Sequence, residues 1–179
     1  MDRLQVDDAV IEYEVRGKGE PVLLIHLSLI ADGLALPLFG QPIVADQYQL
    51  IHYHRRGWMG STRGSAPLTF ERGAADAAAL LKHLEIGRAH VVGHSFGGNI
   101  AIQLAADAPE LVHSLALLET PLWRVPSGRA NYEETMLPML NAYRRGEKEK
   151  SVRIFCDAVF GPNWQSIVEQ AIPGAVQQA

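Results

Sequence analysis

The sequence contains a single cysteine, Cys156, among 179 residues. One cysteine excludes an internal disulfide framework and is typical of proteins from a reducing compartment. No apolar run is long enough to span a bilayer, and residues 1–8 lack the hydrophobic region of a signal peptide. These absences predict a cytoplasmic protein that does not bind a membrane.

An excess of positive charge is also absent. The formal net charge is -4, and acidic and basic residues are intermixed along the chain. Neither a nucleic-acid-binding surface nor a polybasic membrane contact is therefore expected. The apolar fraction of 47% is sufficient for a globular domain with a hydrophobic core.

Strand patterns are frequent in the first 120 residues. An alternation of apolar and polar side chains predicts an outer hairpin formed by residues 3–6 and 11–15. Apolar runs predict four further strands, at residues 21–25, 48–53, 89–92 and 114–118.

Two helices are predicted between these strands. The first covers about residues 70–84, with Gly87 just past its end, and the second follows Ser95 and closes at Pro109. This alternation predicts an α/β fold, a three-layer sandwich with a mostly parallel sheet of about six strands.

The pattern changes after Glu119, where three amphipathic helical segments follow, at residues 132–143, 152–159 and 164–171. Pro138 should kink or shift the first segment, and Pro173 should end the last. We therefore expect a core domain over residues 1–120 and a helical region over residues 121–179.

The motif that carries most information is Gly93-His94-Ser95-Phe96-Gly97, a G-x-S-x-G run between a predicted strand and a predicted helix. This context is what a nucleophile elbow requires, because a sharp turn there lifts the serine above the sheet. The Phe96 amide, at the helix N-terminus, would point toward a developing oxyanion. The alternative is a tight strand-to-helix turn that uses glycine for geometry alone.

The elbow and three further blocks resemble the N-terminal part of the α/β-hydrolase fold superfamily; the blocks are residues 21–26, 56–61, 76–81 and 89–98. The resemblance implies that Ser95 is the nucleophile. It also implies an oxyanion hole formed by the backbone amides of Phe96 and of Ser28, with Leu27 as the next candidate donor. The helices after Glu119 resemble the start of a helical cap.

The resemblance further implies a hydrolase for a small-molecule substrate, with no cofactor and no metal. A serine rather than an aspartate at the elbow argues against the epoxide-hydrolase and dehalogenase branches. Cleavage of an ester or related acyl bond is therefore the expected reaction.

The sequence departs from the family pattern at several points. Leu27 stands where glycine is usual, and His54 stands where many members have aspartate. The resemblance also stops inside the cap, so the last two family strands and the loops with the late acid and the base histidine are missing. We expect a truncated hydrolase.

The partners of Ser95 are not evident from the sequence. His113 is the only later histidine, and topology should put it at the opposite end of the sheet. Glu119 follows a strand at the edge where ligands bind in open α/β sheets. It is either the triad acid or a solvated carboxylate.

Three histidines, His26, His54 and His94, should lie near the carboxyl ends of neighbouring strands. They could be metal ligands or supply a substitute base, but loop bracing is favoured and no metal site is predicted, because the spacing matches no ligand motif. His52 should pack beside His54. His94 and Trp123 are candidate substrate-binding residues.

Two functions remain open: a serine hydrolase recorded as an incomplete chain, or a catalytically inactive binding or interaction protein of the same fold. In either case, the strand at residues 114–118 should form an apolar sheet edge. Such an edge favours pairing with another chain, so a homo-oligomer is possible.

Overall fold

The computed structural model describes residues 1–28, 30–122 and 125–171 of the chain. The chain divides into two units, Met1–Pro121 and Leu122–Ala179. Trp123 and Pro173, for which the sequence made predictions, lie outside the described residues.

One six-stranded sheet organises the first unit. Its strands are β1 (Asp2–Val6), β2 (Ala9–Arg16), β3 (Glu20–Ile25), β4 (Tyr48–Tyr53), β5 (Ala89–His94) and β6 (Val112–Leu118). Their order is β1-β2-β4-β3-β5-β6. The first two pairings are antiparallel and the other three are parallel. The predicted hairpin and the mostly parallel sheet are confirmed.

Alternate side chains of β3 enter two hydrophobic cores. Leu23 and Ile25 pack in the larger core with residues of the helices α3 (Phe70–His83) and α4 (Phe96–Asp107). Leu24 packs on the other face, against the short helices α1 (Ala35–Phe39) and α2 (Pro42–Gln47). Successive strand residues point to opposite faces, so the sheet has helices on both sides, as an α/β sandwich requires.

The end of α3 differs from the prediction. The helix begins after Thr69, whose side chain accepts a hydrogen bond from the Arg72 amide. Its last residue is His83 and its C-cap is Leu84, and the left-handed position that follows is occupied by Glu85 with φ 56°. Gly87, which the sequence placed just past the helix end, comes two residues later and has no positive φ.

A buried ion pair connects the loop after β4 to α3. Arg56 donates two hydrogen bonds to the Asp76 carboxylate, at 2.7 and 2.8 Å, and both side chains are 3% exposed. Arg56 also bonds Asp8 and the Val6 carbonyl. The arginine in the block at residues 56–61 therefore connects the end of β1, the turn after it and α3.

The second unit consists of helices in the part that the structure describes. They are α5 (Pro126–Asn131), a π-helical turn (Tyr132–Met136), α6 (Leu137–Arg144), α7 (Lys148–Phe160) and α8 (Trp164–Ala171). Pro138 lies in the first turn of α6, and a π-helical turn directly precedes this helix. Within the described residues, no helix is both long and apolar enough to cross a membrane.

Candidate active site

Ser95 occupies a strained turn between β5 and α4. Its φ is 51° and its ψ is -119°, a conformation that non-glycine residues rarely adopt. Its amide donates to the Leu118 carbonyl at 2.8 Å, and its carbonyl accepts from the Gly98 amide at 2.9 Å. The side chain does not cap the helix. The turn is therefore held by backbone hydrogen bonds. The hydroxyl of the half-buried Ser95 does not bond the free amides at the N-terminus of α4.

Two glycines of the motif are required by packing. A Cβ on Gly97 would overlap the Ile25 carbonyl oxygen and lie 2.6 Å from the His26 carbonyl oxygen. A Cβ on Gly93 would lie 2.6 Å from the Gly98 Cα. The close approach of α4 to β3 and β5 thus explains the glycines, but it does not explain a serine at position 95.

The loop after β3 is fixed by His26, which is fully buried. His26 Nδ1 lies 2.6 Å from the Leu27 carbonyl, and Nε2 accepts a hydrogen bond from the Arg55 amide at 3.0 Å. Burial, with the Arg55 charge, lowers the pKa of His26 to about 3, so the ring is neutral and Nδ1 is its donor.

Leu27 and Ser28, the predicted second oxyanion donors, are half-buried in this fixed loop. Leu27 is not among the described residues with a positive φ, so its Cβ does not impose left-handed strain. The role of their amides, like that of the Phe96 amide, stays a prediction.

Arg55 is a buried cation beside the elbow that the sequence analysis missed. Its guanidinium carbon lies 4.8 Å from the centre of the Phe96 ring and 5.4 Å from that of Trp58, and Nη2 donates to the Leu27 carbonyl at 3.1 Å. Burial lowers the pKa of Arg55 to about 10, which leaves it charged at neutral pH. In the sequence, nothing but its position beside Arg56 pointed to a role for Arg55 near the elbow.

Glu119 and His94 lie at the same sheet end as Ser95, because His94 pairs with Leu118 across β5 and β6. The distance from His94 Nε2 to Glu119 Oε2 is 3.4 Å, and the Glu119 side chain is 87% exposed. This contact is long and solvated. The proposed roles of Glu119 as acid and of His94 in substrate binding stay predictions.

His113 lies at the other end of β6. Its ring centre is 4.6 Å from that of His90, near the start of β5. The strands run parallel, so this is the end opposite Ser95, as the topology predicted.

The two histidines at the end of β4, His52 within the strand and His54 just after it, have an unexpected partner. Asp32 Oδ1 lies 3.0 Å from His52 Nε2 and 2.9 Å from His54 Nε2. Hydrogen bonds from His54 and then His52 hold the pKa of Asp32 below its usual value, and burial lowers that of His52. His26, His54 and His94 lie at the carboxyl ends of the neighbouring strands β3, β4 and β5, as the sequence predicted, and the ring centres of His26 and His54 are 6.5 Å apart. The sequence did not predict Asp32 as the partner of His52 and His54.

The family can now be assigned. Residues 21–143 match the family model described as the alpha/beta hydrolase fold. The chain belongs to this family, as the resemblance indicated.

Similar proteins agree with the assignment. The chain is 35% identical over 111 residues to RutD of Azorhizobium caulinodans, provisionally named a carbamate hydrolase, with 62% of this chain and 41% of RutD covered. It is 31% identical over 121 residues to the fluoroacetate dehalogenase of a Burkholderia species, and this match covers 65% of this chain and 39% of the dehalogenase. These relatives are hydrolases, and the chain spans about two fifths of their length.

A solved structure matches the fold over most of the chain. An α/β hydrolase of Sphaerobacter thermophilus superimposes with a TM-score of 0.73 at 24% identity, covering 96% of this chain and 66% of that one. At this identity, the likeness supports the fold alone.

Proposed function

We propose that the complete protein is a serine hydrolase that cleaves an ester or a related acyl bond, with Ser95 as nucleophile. The observation that carries the proposal is the left-handed Ser95, whose hydroxyl does not cap α4. Strained backbone of this kind persists only where the surrounding structure imposes it, and it is concentrated at functional sites.

In the proposed reaction, Ser95 Oγ attacks the substrate carbonyl and gives up its proton to a base. The negative charge on the carbonyl oxygen would be stabilised by the amide of Phe96, at the N-terminus of α4, and by that of Ser28 or Leu27. The buried charge of Arg55 would favour the same oxyanion. A serine at the elbow favours this acyl chemistry over the alkyl chemistry expected of a dehalogenase.

The base is proposed to come from a histidine outside this sequence. His113 lies at the wrong end of the sheet, and the ring of His94 faces Glu119. Glu119 is the candidate acid. The helices of residues 122–171 are proposed to belong to a cap over a small-molecule substrate, and the protein to be cytoplasmic.

Labelling with a fluorophosphonate probe tests the nucleophile. Imidazole is added to the folded chain as a substitute base, because a general base is needed to remove the serine proton. We expect labelling that imidazole accelerates, its loss in Ser95→Ala, and its retention in Ser114→Ala, which removes an exposed serine of β6.

The second candidate is an inactive binding protein of the same fold. The observation that favours it is that His113 lies at the end of the sheet opposite Ser95 and that the His94 ring faces Glu119, so neither supplies a base for Ser95. A folded chain that resists the probe even with imidazole would overturn the hydrolase proposal and favour binding.

A further inference from the structure

One carboxylate and two imidazoles converge at the carboxyl end of β4. Their ligand atoms, one each from Asp32, His52 and His54, all lie within 4.8 Å of one another. We propose that these residues bind a divalent transition-metal ion, with zinc as the ion that best matches the donors. This proposal is independent of the role of Ser95.

The separations suit a tetrahedral ion. Zinc binds imidazole nitrogen and carboxylate oxygen at about 2.0–2.1 Å, so neighbouring ligand atoms in a tetrahedron lie about 3.3 Å apart. The Asp32 oxygen lies 3.0 Å from His52 Nε2 and 2.9 Å from His54 Nε2. These two separations need to widen by only a few tenths of an ångström, and the ligand atoms of all three residues already lie within 4.8 Å of one another.

The second nitrogen of His54 is already oriented as a metal-bound histidine requires. Nδ1 lies 3.2 Å from Glu12 Oε2, the carboxylate–histidine arrangement that surrounds metal ions in proteins. Both ring nitrogens of His54 thus face carboxylate oxygens. A metal ion on Nε2 would bring a positive charge between these two carboxylates.

Burial and access also fit a bound ion. The side chains of His52 and His54 are 2% and 4% exposed, whereas that of Asp32 is 35% exposed. The imidazoles are therefore shielded from water, and the carboxylate is reachable from solvent. Nδ1 of His52 has no hydrogen-bond partner among the described residues. The polar contact of this ring is therefore made by Nε2, the nitrogen that faces the proposed ion.

The donor set indicates the class of ion. Two imidazoles and one carboxylate favour zinc and similar divalent ions over calcium or magnesium, which prefer oxygen ligands. Three protein ligands leave a fourth position open, as in catalytic zinc sites. The site could therefore bind water or an anion at the metal.

Titration of the untagged, chelator-treated chain tests the proposal. Calorimetry with Zn²⁺ should give one ion per chain, and Co²⁺ should produce the visible absorption of a tetrahedral site. Asp32→Asn should abolish binding, because it removes the charged ligand at a partly exposed position. Glu12→Gln should weaken binding by about 10- to 100-fold without changing the stoichiometry.

The matched control is His90→Gln. His90 Nε2 also faces a carboxylate, that of Glu20 at 3.1 Å, but among the described residues this pair belongs to no cluster of three convergent ligand atoms, so Zn²⁺ binding should be unchanged. Zn²⁺ should raise the melting temperature of the wild-type chain and not that of Asp32→Asn. Absence of binding at equimolar Zn²⁺, or binding that Asp32→Asn does not reduce, would overturn the proposal.

Discussion

Gly97 makes the closest approach between the elbow and β3. Its missing side chain allows α4 to lie against the carbonyls of Ile25 and His26. Gly97→Ala should therefore destabilise the fold by about 1–3 kcal/mol, since backbone must move to admit the methyl group. Urea unfolding measures the change.

Gly87→Ala is the control for this substitution. No atom lies within 4 Å of a Cβ at that position, so the change should stay within about 0.5 kcal/mol. Equal effects of the two substitutions would contradict the packing argument.

At the residue scale, the sequence predicted Ser95 and Phe96 because the elbow is a contiguous motif. It did not predict Asp32 or Glu12 beside His54. These residues come from the loop after β3 and from β2, and only the folded sheet brings them together. The spacing of His52 and His54, two residues apart, indicated two possible metal ligands, but the sequence did not indicate a third.

The end of α3 shows how an element can end without glycine. The Ile86 amide bonds the Leu81 carbonyl at 2.9 Å, and the Glu85 amide bonds that of Lys82 at 3.1 Å. This is a Schellman motif with glutamate in the left-handed position. Glu85→Gly should stabilise the protein by about 0.5–1 kcal/mol, because glycine adopts a positive φ without steric cost.

Thermal unfolding of Glu85→Gly and Glu85→Ala separates the two contributions. Alanine removes a negative charge that is unfavourable at a helix C-terminus, but it retains the Cβ. Glycine should be the more stable of the two variants. A higher melting temperature for alanine would show that charge, not backbone conformation, limits this helix end.

Regular strands and the longer helices were predictable because their side-chain periodicity extends over several residues. The short helices α1 and α2, with five and six residues, offer too little of it to be recognised. The π-helical turn before Pro138 was also missed, since its sequence has ordinary helical spacing. The short helices and the π-helical turn depend on packing rather than on a local sequence pattern.

At the scale of the whole molecule, the edge strand β6 determines how the chain can associate with other copies. It forms one edge of the sheet, and Leu115, Leu117 and Leu118 are each about 40% exposed. Unpaired strand edges with apolar side chains favour pairing between chains. We expect the chain to associate as its concentration rises, which sedimentation velocity would detect.

Leu117→Lys should reduce this association, because a charge on an edge strand opposes pairing. Leu36→Lys is the control, since Leu36 is 60% exposed but lies in α1 rather than on the edge strand. A monomer at every concentration, or equal effects of the two lysines, would count against association through β6.

The conformation of Ser95 has a consequence for how chemistry and folding are connected. No local preference favours its left-handed backbone, which is held by the Leu118 carbonyl on one side and by α4 on the other. The hydroxyl is thus presented only while β5, β6 and α4 remain assembled. Loss of reactivity at this serine would then report the melting of the sheet itself, and stability would set an upper temperature for any catalysis.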